Sequence, residues 1–286
     1  MSLLCPACGR RPDEFAPGPG GRPRARCPLC QALERHRFLA VVLAGLPPSS
    51  RPAAVILDVA PARVMATMLR ARGGSYIGMD VDPNADGRAV QLVADLCRIP
   101  LGDGVVDLAV VFHVFEHIAD DAAAMAEVAR TLAGDGLALI QVPWRPGAST
   151  DEDPTATPQQ RVDRFGQADH VRFYGKDFEE RLAAAGLRTV CIRPADLVPE
   201  DLMAAMALTD PTPVWVGMSG GGPWAGIGDD EVMSRMHARL AGGAITEWRR
   251  QVTLPAEPEG AVELPAWVRR LGRTRVGRAL RRMVTP

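Results

Sequence analysis

From Pro52 onward the chain alternates short apolar runs with segments whose apolar positions recur every three to four residues. That alternation predicts a doubly wound parallel α/β sheet flanked by helices. A first strand is expected over 54–59, followed by a helix burying Val64, Met65, Met68 and Leu69, then a second strand over 75–79 that ends at Asp80. The fourth strand falls at 105–111. A helix opened by Asp120 and Asp121 should turn Met125, Val128, Ala129 and Leu132 inward and stop at Gly134, ahead of a fifth strand over 137–142. Asp177 with Glu180 reads as a capping box, Gly186 as a helix end, and 187–192 and 214–218 as further strands.

Three stretches depart from this rhythm. Residues 1–30 are rich in Cys, Pro, Gly and Arg and have no core of their own, so a metal must hold them. The segment after Gln31, with Leu33, Phe38, Val41 and Val42 on one face, should form a helix that docks this module. Residues 143–176 are too long for an ordinary strand-to-helix connection and read as a lid-like insertion. Residues 219–286 begin with the Gly-rich turn 219–222. They continue through a helix marked by Val232, Met233, Met236 and Leu240, and end in a basic tail with Val276, Leu280 and Met283 on one face. The expected organisation is therefore 1–46, zinc ribbon and docking helix; 52–218, the sheet domain; and 219–286, a helical extension with a basic tail.

Composition narrows the possibilities. No apolar run approaches the roughly 18 residues a membrane helix needs, and no leader pattern opens the chain, so a soluble, unprocessed, cytoplasmic protein is expected. The net charge of −1 hides an asymmetry, with arginines gathered in residues 1–51 and 264–286 and an acidic body between. Such a body does not attract polyanions by its field, which favours a small-molecule partner over RNA. Since Lys176 is the sole lysine, part of the arginine richness reflects composition alone.

Four of the six cysteines form two Cys-Pro-x-Cys pairs, Cys5/Cys8 and Cys27/Cys30, separated by eighteen residues. This spacing predicts a four-thiolate tetrahedral zinc site, structural because no position is left for water or substrate. Asp58, Asp80 and Asp95 fall at or near the ends of the first three strands, on the edge where a doubly wound sheet holds a nucleoside. The second of them can accept from both ribose hydroxyls, with Asp82 as its rival. Taken singly, each is an ordinary turn or cap residue. Together, in register with three strand ends, they read as a ligand edge. Phe112–His117 follows the fourth strand on the same edge, so His113, Glu116 and His117 facing the cleft can orient a ligand or take a proton, the alternatives being that His113 packs and His117 caps the next helix. Within the insertion His170 stands just before the next helix, where a loop anchored to a rigid sheet would hold it over the cleft.

The runs V-I-L-D-V, G-M-D-V-D-P, A-D-L, F-H-V-F-E-H-I and A-E-V-A-R-T-L-A-G-D-G-L-A-L-I-Q-V-P together resemble the type 11 methyltransferases of class I, over roughly residues 52–218. Bacterial members with a cysteine-rich start, an E-R-H-R stretch like Glu34–Arg37 and an F-G-Q-x-D-H-V-R-x-Y-G stretch like Phe165–Gly175 are most similar. The resemblance implies a Rossmann-like seven-stranded sheet with its last strand antiparallel, and S-adenosylmethionine as ligand. It places Asp58 near the donor's amino group, Ala60 in the donor loop, Asp80 on the ribose, Asp95 and Leu96 at the adenine, and His113 beside the donor. The family's loop carries glycines where this chain has Ala60, Ala62 and Val64. Pro61 biases Ala60 toward extended geometry, so the loop is expected to run without positive φ and to bind the donor more weakly than glycine-bearing relatives do.

The function these readings imply is methyl transfer to a small metabolite or natural-product intermediate, with His170 or His113 as base. An RNA methyltransferase using the zinc ribbon for RNA is the alternative, and a non-catalytic adaptor built on a degenerate donor domain the second.

Overall fold

The computed structural model describes residues 2–47, 51, 53–85, 87–219, 224 and 226–252. The basic tail and residues 220–222 of the glycine-rich turn lie outside them. Nine strands, β1 Val55–Val59, β2 Ser75–Asp80, β3 Leu92–Val93, β4 Val106–Phe112, β5 Leu132–Gln141, β6 Asp151–Glu152, β7 Arg172–Phe173, β8 Arg188–Ile192 and β9 Val214–Met218, alternate with helices among the described residues. The helices are α1 Glu34–Gly45, α2 Arg63–Arg70, α3 Asp121–Thr131, α4 Pro158–Phe165, α5 Phe178–Ala184, α6 Pro194–Leu197, α7 Glu200–Met206, α8 Asp229–Ala241 and α9 Ala244–Gln251. Seven strands form one sheet in the order β3-β2-β1-β4-β5-β9-β8, and β6 pairs with β7 apart from it. Only β9 runs antiparallel to its neighbours β5 and β8. This is the Rossmann-like sheet the sequence implied.

Strand order reverses between β1 and β4, the point at which doubly wound sheets form a ligand crevice outside the carboxyl ends of their strands. Both strands are buried along their whole length, as apolar runs covered on two faces must be. α2 buries Met65, Ala66, Met68 and Leu69 and leaves Val64 half-exposed. Burying each large apolar side chain contributes about 1.5–3 kcal/mol, so helix and sheet fix one another.

Three local expectations are corrected. α3 is capped by Asp120, whose carboxylate accepts from the Ala123 amide, but it ends at Thr131. Leu132 turns extended and pairs with Val106, so β5 starts five residues before the apolar run at 137. Asp177 makes no side-chain cap for α5. Its carboxylate is taken by the Thr150 amide and hydroxyl, at 2.6 and 2.9 Å, and by Arg181. Finally, Ala60 has φ +54°, so the loop after β1 does enter the left-handed region despite Pro61.

α1 is buried on nearly every side rather than along one stripe. Arg37, fully buried on it, explains why. Its guanidinium donates to the carbonyls of Arg24, Ala25 and Ala32 in the N-terminal module and to Met206 and Ala207 at the end of α7. It also lies 4.3 Å above the Phe15 ring. A cation at a helix carboxyl end is favoured by the unpaired carbonyls there, and here one side chain satisfies two such carbonyls and three loop carbonyls at once. His36 accepts from the Leu33 amide, and Glu34 pairs with Arg22. The E-R-H-R stretch is therefore the joint between the module and the body.

Candidate functional site

In the cysteine module each Cys-Pro-x-Cys makes the same turn. Cys5 receives a hydrogen bond at its carbonyl from Gly9 and donates to Arg10, while Cys27 receives one from Gln31 and donates to Ala32. Gly9 and Gln31, at equivalent places, both have positive φ, of 68° and 64°. Two superposable turns thus aim four sulfurs at one point, all within 4.8 Å of one another. The Cys5 and Cys30 sulfurs are 3.7 Å apart, far beyond a disulfide and close to the roughly 3.8 Å edge of a tetrahedron with metal–sulfur bonds of about 2.3 Å. All four are free cysteines, and the donor set fits a closed thiolate metal site.

The second constellation lies along the carboxyl edge of the sheet. Asp58 is wholly buried in an otherwise apolar strand. One oxygen accepts from the Tyr76 hydroxyl at 2.8 Å; the other has no hydrogen-bond partner. Burial pushes its carboxyl up to about 7, against the opposing pull of the Tyr76 hydroxyl. A buried carboxylate with an open oxygen is costly unless something cationic or donating meets it. Just beyond it, Ala60 sits in left-handed geometry that costs an ordinary residue about 1–2 kcal/mol.

Asp80, at the end of β2, accepts from the Asp82 amide through one oxygen, and Arg88 lies 3.1 Å from the other. That contact lacks hydrogen-bond alignment, leaving the second oxygen without a formal donor. Asp82 instead caps its own turn through the Asn84 amide. Asp95, exposed after β3, caps the short turn Leu96–Arg98 through the Cys97 amide, and Leu96 beside it is buried. The three aspartates and Leu96 therefore stand at or just beyond the ends of β1, β2 and β3.

The far side of the crevice is built by two interlocking segments. After β4, His113 takes φ +55° and leads into a single helical turn, Phe115–His117. His113 Nδ1 lies 3.2 Å from one oxygen of Glu116, which is completely buried and whose other oxygen has no partner. The Phe165–Gly175 stretch clasps this turn. The Val171 amide donates to the Glu116 carbonyl at 2.8 Å, and the fully buried Arg172 donates to the carbonyls of Phe115, Ile118 and Ala119. The Tyr174 hydroxyl donates to Asp121 at 2.7 Å. Gly175 packs where a Cβ would run into the backbone of Ala148 and Ser149. His170, 3% exposed, is lodged between these segments, edge-on to His117 with ring centroids 4.7 Å apart. Burial lowers its basicity. His117, for its part, pairs with Asp169 at 3.2 Å.

Tyr76, Arg88 and Glu116 carry more of this site than the sequence reading assigned them. The available signal was scarcity: the chain has two tyrosines, and each hydrogen-bonds a buried aspartate. A separate cavity of about 540 Å³ opens at the opposite edge of the sheet, among Leu46, Ala54, Asp107, Leu137 and Trp224. None of the strand-end acids or crevice histidines lines it. The carboxyl edge is the better candidate because the polar groups converge there.

Residues 57–140, from β1 through β5, match the family model described as a methyltransferase domain. Two curated proteins of Mycobacterium tuberculosis, from strains CDC 1551 / Oshkosh and H37Rv, are each described as a probable S-adenosylmethionine-dependent methyltransferase. They are 38% identical to this chain over 82 residues, covering 27% of it and 30% of each relative. The match thus spans about a third of the relatives' length. Among solved structures, the YcgJ protein of Bacillus subtilis is 15% identical, with a TM-score of 0.42, covering 64% of this chain and all of that one. The 1,6-didemethyltoxoflavin-N1-methyltransferase of Burkholderia thailandensis is 19% identical, with a TM-score of 0.40, covering 58% of this chain and 70% of that one.

Proposed function

We propose that the protein is an S-adenosylmethionine-dependent methyltransferase acting on a small metabolite or natural-product intermediate, with a structural zinc ion held by Cys5, Cys8, Cys27 and Cys30. The observation that carries the reading is Asp58. A wholly buried carboxylate with one open oxygen, at the end of β1 where the strand order reverses, needs a cationic or donating partner, and the donor's ammonium group is one.

S-adenosylmethionine supplies an electrophilic methyl group on a sulfonium. Asp58 holds the ammonium end, Asp80 accepts from the ribose hydroxyls in competition with Arg88, and Asp95 and Leu96 meet the adenine. The backbone at Ala60 shapes the floor between them. Across the crevice His113, backed by the buried carboxylate of Glu116, is set to take a proton from a hydroxyl or amine acceptor. His170 is the second candidate base, kept neutral by burial. The 143–176 segment closes the acceptor side, excluding water from a step that neutralises charge. A reducing, cytoplasmic setting suits the four free thiols. Among the described residues no helix is long and apolar enough to cross a membrane.

Titration calorimetry with S-adenosylhomocysteine tests this. Binding is expected to weaken at least tenfold in Asp80→Ala. Absence of heat or thermal shift at millimolar ligand would favour the non-catalytic adaptor. Strongly salt-dependent binding of RNA by the N-terminal module would favour the RNA alternative.

A further inference from the structure

Glu116, His117 and His170 bring one potential ligand atom each to within 4.8 Å of the others. The polar contacts around them leave one ligand-type atom open on every side chain. His170 Nδ1 faces the Phe165 carbonyl at 3.2 Å, and a carbonyl can only accept, so that nitrogen carries the proton and Nε2 keeps its lone pair. His117 Nδ1 faces the Asp169 carboxylate at 3.2 Å, with the same consequence. An imidazole whose Nδ1–H is tied to a carbonyl or carboxylate is the arrangement that orients histidine toward a metal ion. Glu116 completes the set, since its Oε1 is engaged by His113 and its buried Oε2 has no hydrogen-bond partner.

We propose that Glu116, His117 and His170 form a second metal site, taking a divalent transition-metal ion such as zinc on the acceptor side of the crevice. Two imidazoles and one carboxylate suit zinc or its neighbours in the first transition row, whereas magnesium and calcium prefer oxygen donors throughout. Three protein ligands leave a fourth position for water or an acceptor oxygen, unlike the closed four-sulfur site. The His117 side chain is one-third exposed, which provides the way in. The cation would supply the counter-charge that the open Glu116 oxygen lacks. Its rival is Arg35 on α1, which lies within electrostatic range of Glu116 but makes no hydrogen bond to that oxygen. With an ion in place His170 becomes a ligand, and His113 is left to take the proton.

The site stands whether or not the chain transfers methyl groups, and metal counting separates the two questions. Full-length protein is stripped, loaded with cobalt and titrated. Two ions per chain are expected, one with intense sulfur-to-metal absorption and one with only weak nitrogen/oxygen-type bands. Cys27→Ser should lose the intense absorption alone. His117→Ala and the His117→Ala/His170→Ala pair should lose the weak bands, with at least tenfold weaker binding of the second ion, while the sulfur bands persist as proof of an intact fold. Glu116→Gln should behave as His117→Ala does. One ion per chain in the wild type, all of it sulfur-bound, overturns the proposal; so does a second ion that all three histidine-site variants retain. S-adenosylhomocysteine binding, measured in parallel, reports on the methyltransferase reading independently of either result.

Discussion

The cysteine cluster and the Glu116/His117/His170 cluster each gather ligand-type side chains within 4.8 Å, yet they are held together in opposite ways. The sulfurs are placed by two short turns of two residues' separation each, in a module whose composition offers little core. The glutamate and histidines come from segments more than fifty residues apart, and each is already fastened by protein hydrogen bonds through Asp169, Phe165 and His113. Metal should therefore be a folding requirement for the first cluster and an addition to a finished structure for the second.

The largest test of that contrast is Cys27→Ser. Structural zinc contributes on the order of 10 kcal/mol of apparent folding free energy in small modules. The variant should release metal and expose residues 2–33 to hydrogen exchange, while β1 to β5 stay protected. Retention of full metal content would break the comparison. The histidine side is tested most sharply through its clasp. Arg172→Met leaves the carbonyls of Phe115, Ile118 and Ala119 without their buried donor and Asp121 and Glu152 with Arg181 as their remaining cation, at a cost of about 3–5 kcal/mol in chemical denaturation. Arg37→Met should cost a similar amount but loosen the joint between the module and α7 instead.

A smaller effect distinguishes the donor side. Burial raises Asp58 to about 7 from an ordinary carboxyl near 3.8, so in the free protein this group is protonated below that range. Stability from this group is then highest at low pH and declines as pH rises from about 4 toward 7, because the folded state holds a proton the unfolded state has shed. A ligand ammonium reverses the preference. Binding of S-adenosylhomocysteine should strengthen with pH by up to roughly tenfold per unit below 7, about 1.4 kcal/mol, and level off above it. A flat profile that Asp58→Asn leaves unchanged would remove Asp58 from the binding edge. Smallest of all, Ala60→Gly should stabilise the fold by about 1 kcal/mol through relief of its left-handed backbone, read as a rise in melting temperature of a few degrees.

Much of this molecule was readable residue by residue. Cys-Pro-x-Cys turns, apolar strand runs and acids at strand ends are local or periodic signals, because strand burial and metal-ligand spacing act over a few positions. The strand-end positions of Asp58, Asp80 and Asp95 were legible in this way, while the seven-stranded sheet with its antiparallel β9 was implied by the family resemblance. The places where local reading failed share one cause. Asp177 has the spacing of a cap, but Thr150, distant in sequence, claims its carboxylate. Pro61 disfavours a helical Ala60 yet does not forbid the left-handed turn that packing of β1 against β2 and β4 imposes.

The sequence by itself determined the sheet, the acids at its carboxyl edge and the four-sulfur module, since each rests on interactions between near neighbours or on a repeating pattern of burial. Only the tertiary structure decided that E-R-H-R is a joint, that Phe165–Gly175 clasps the turn after β4, and that His170 meets His117 and Glu116. Those relations depend on buried arginines choosing carbonyl partners across gaps of up to 170 residues, a choice no local pattern encodes.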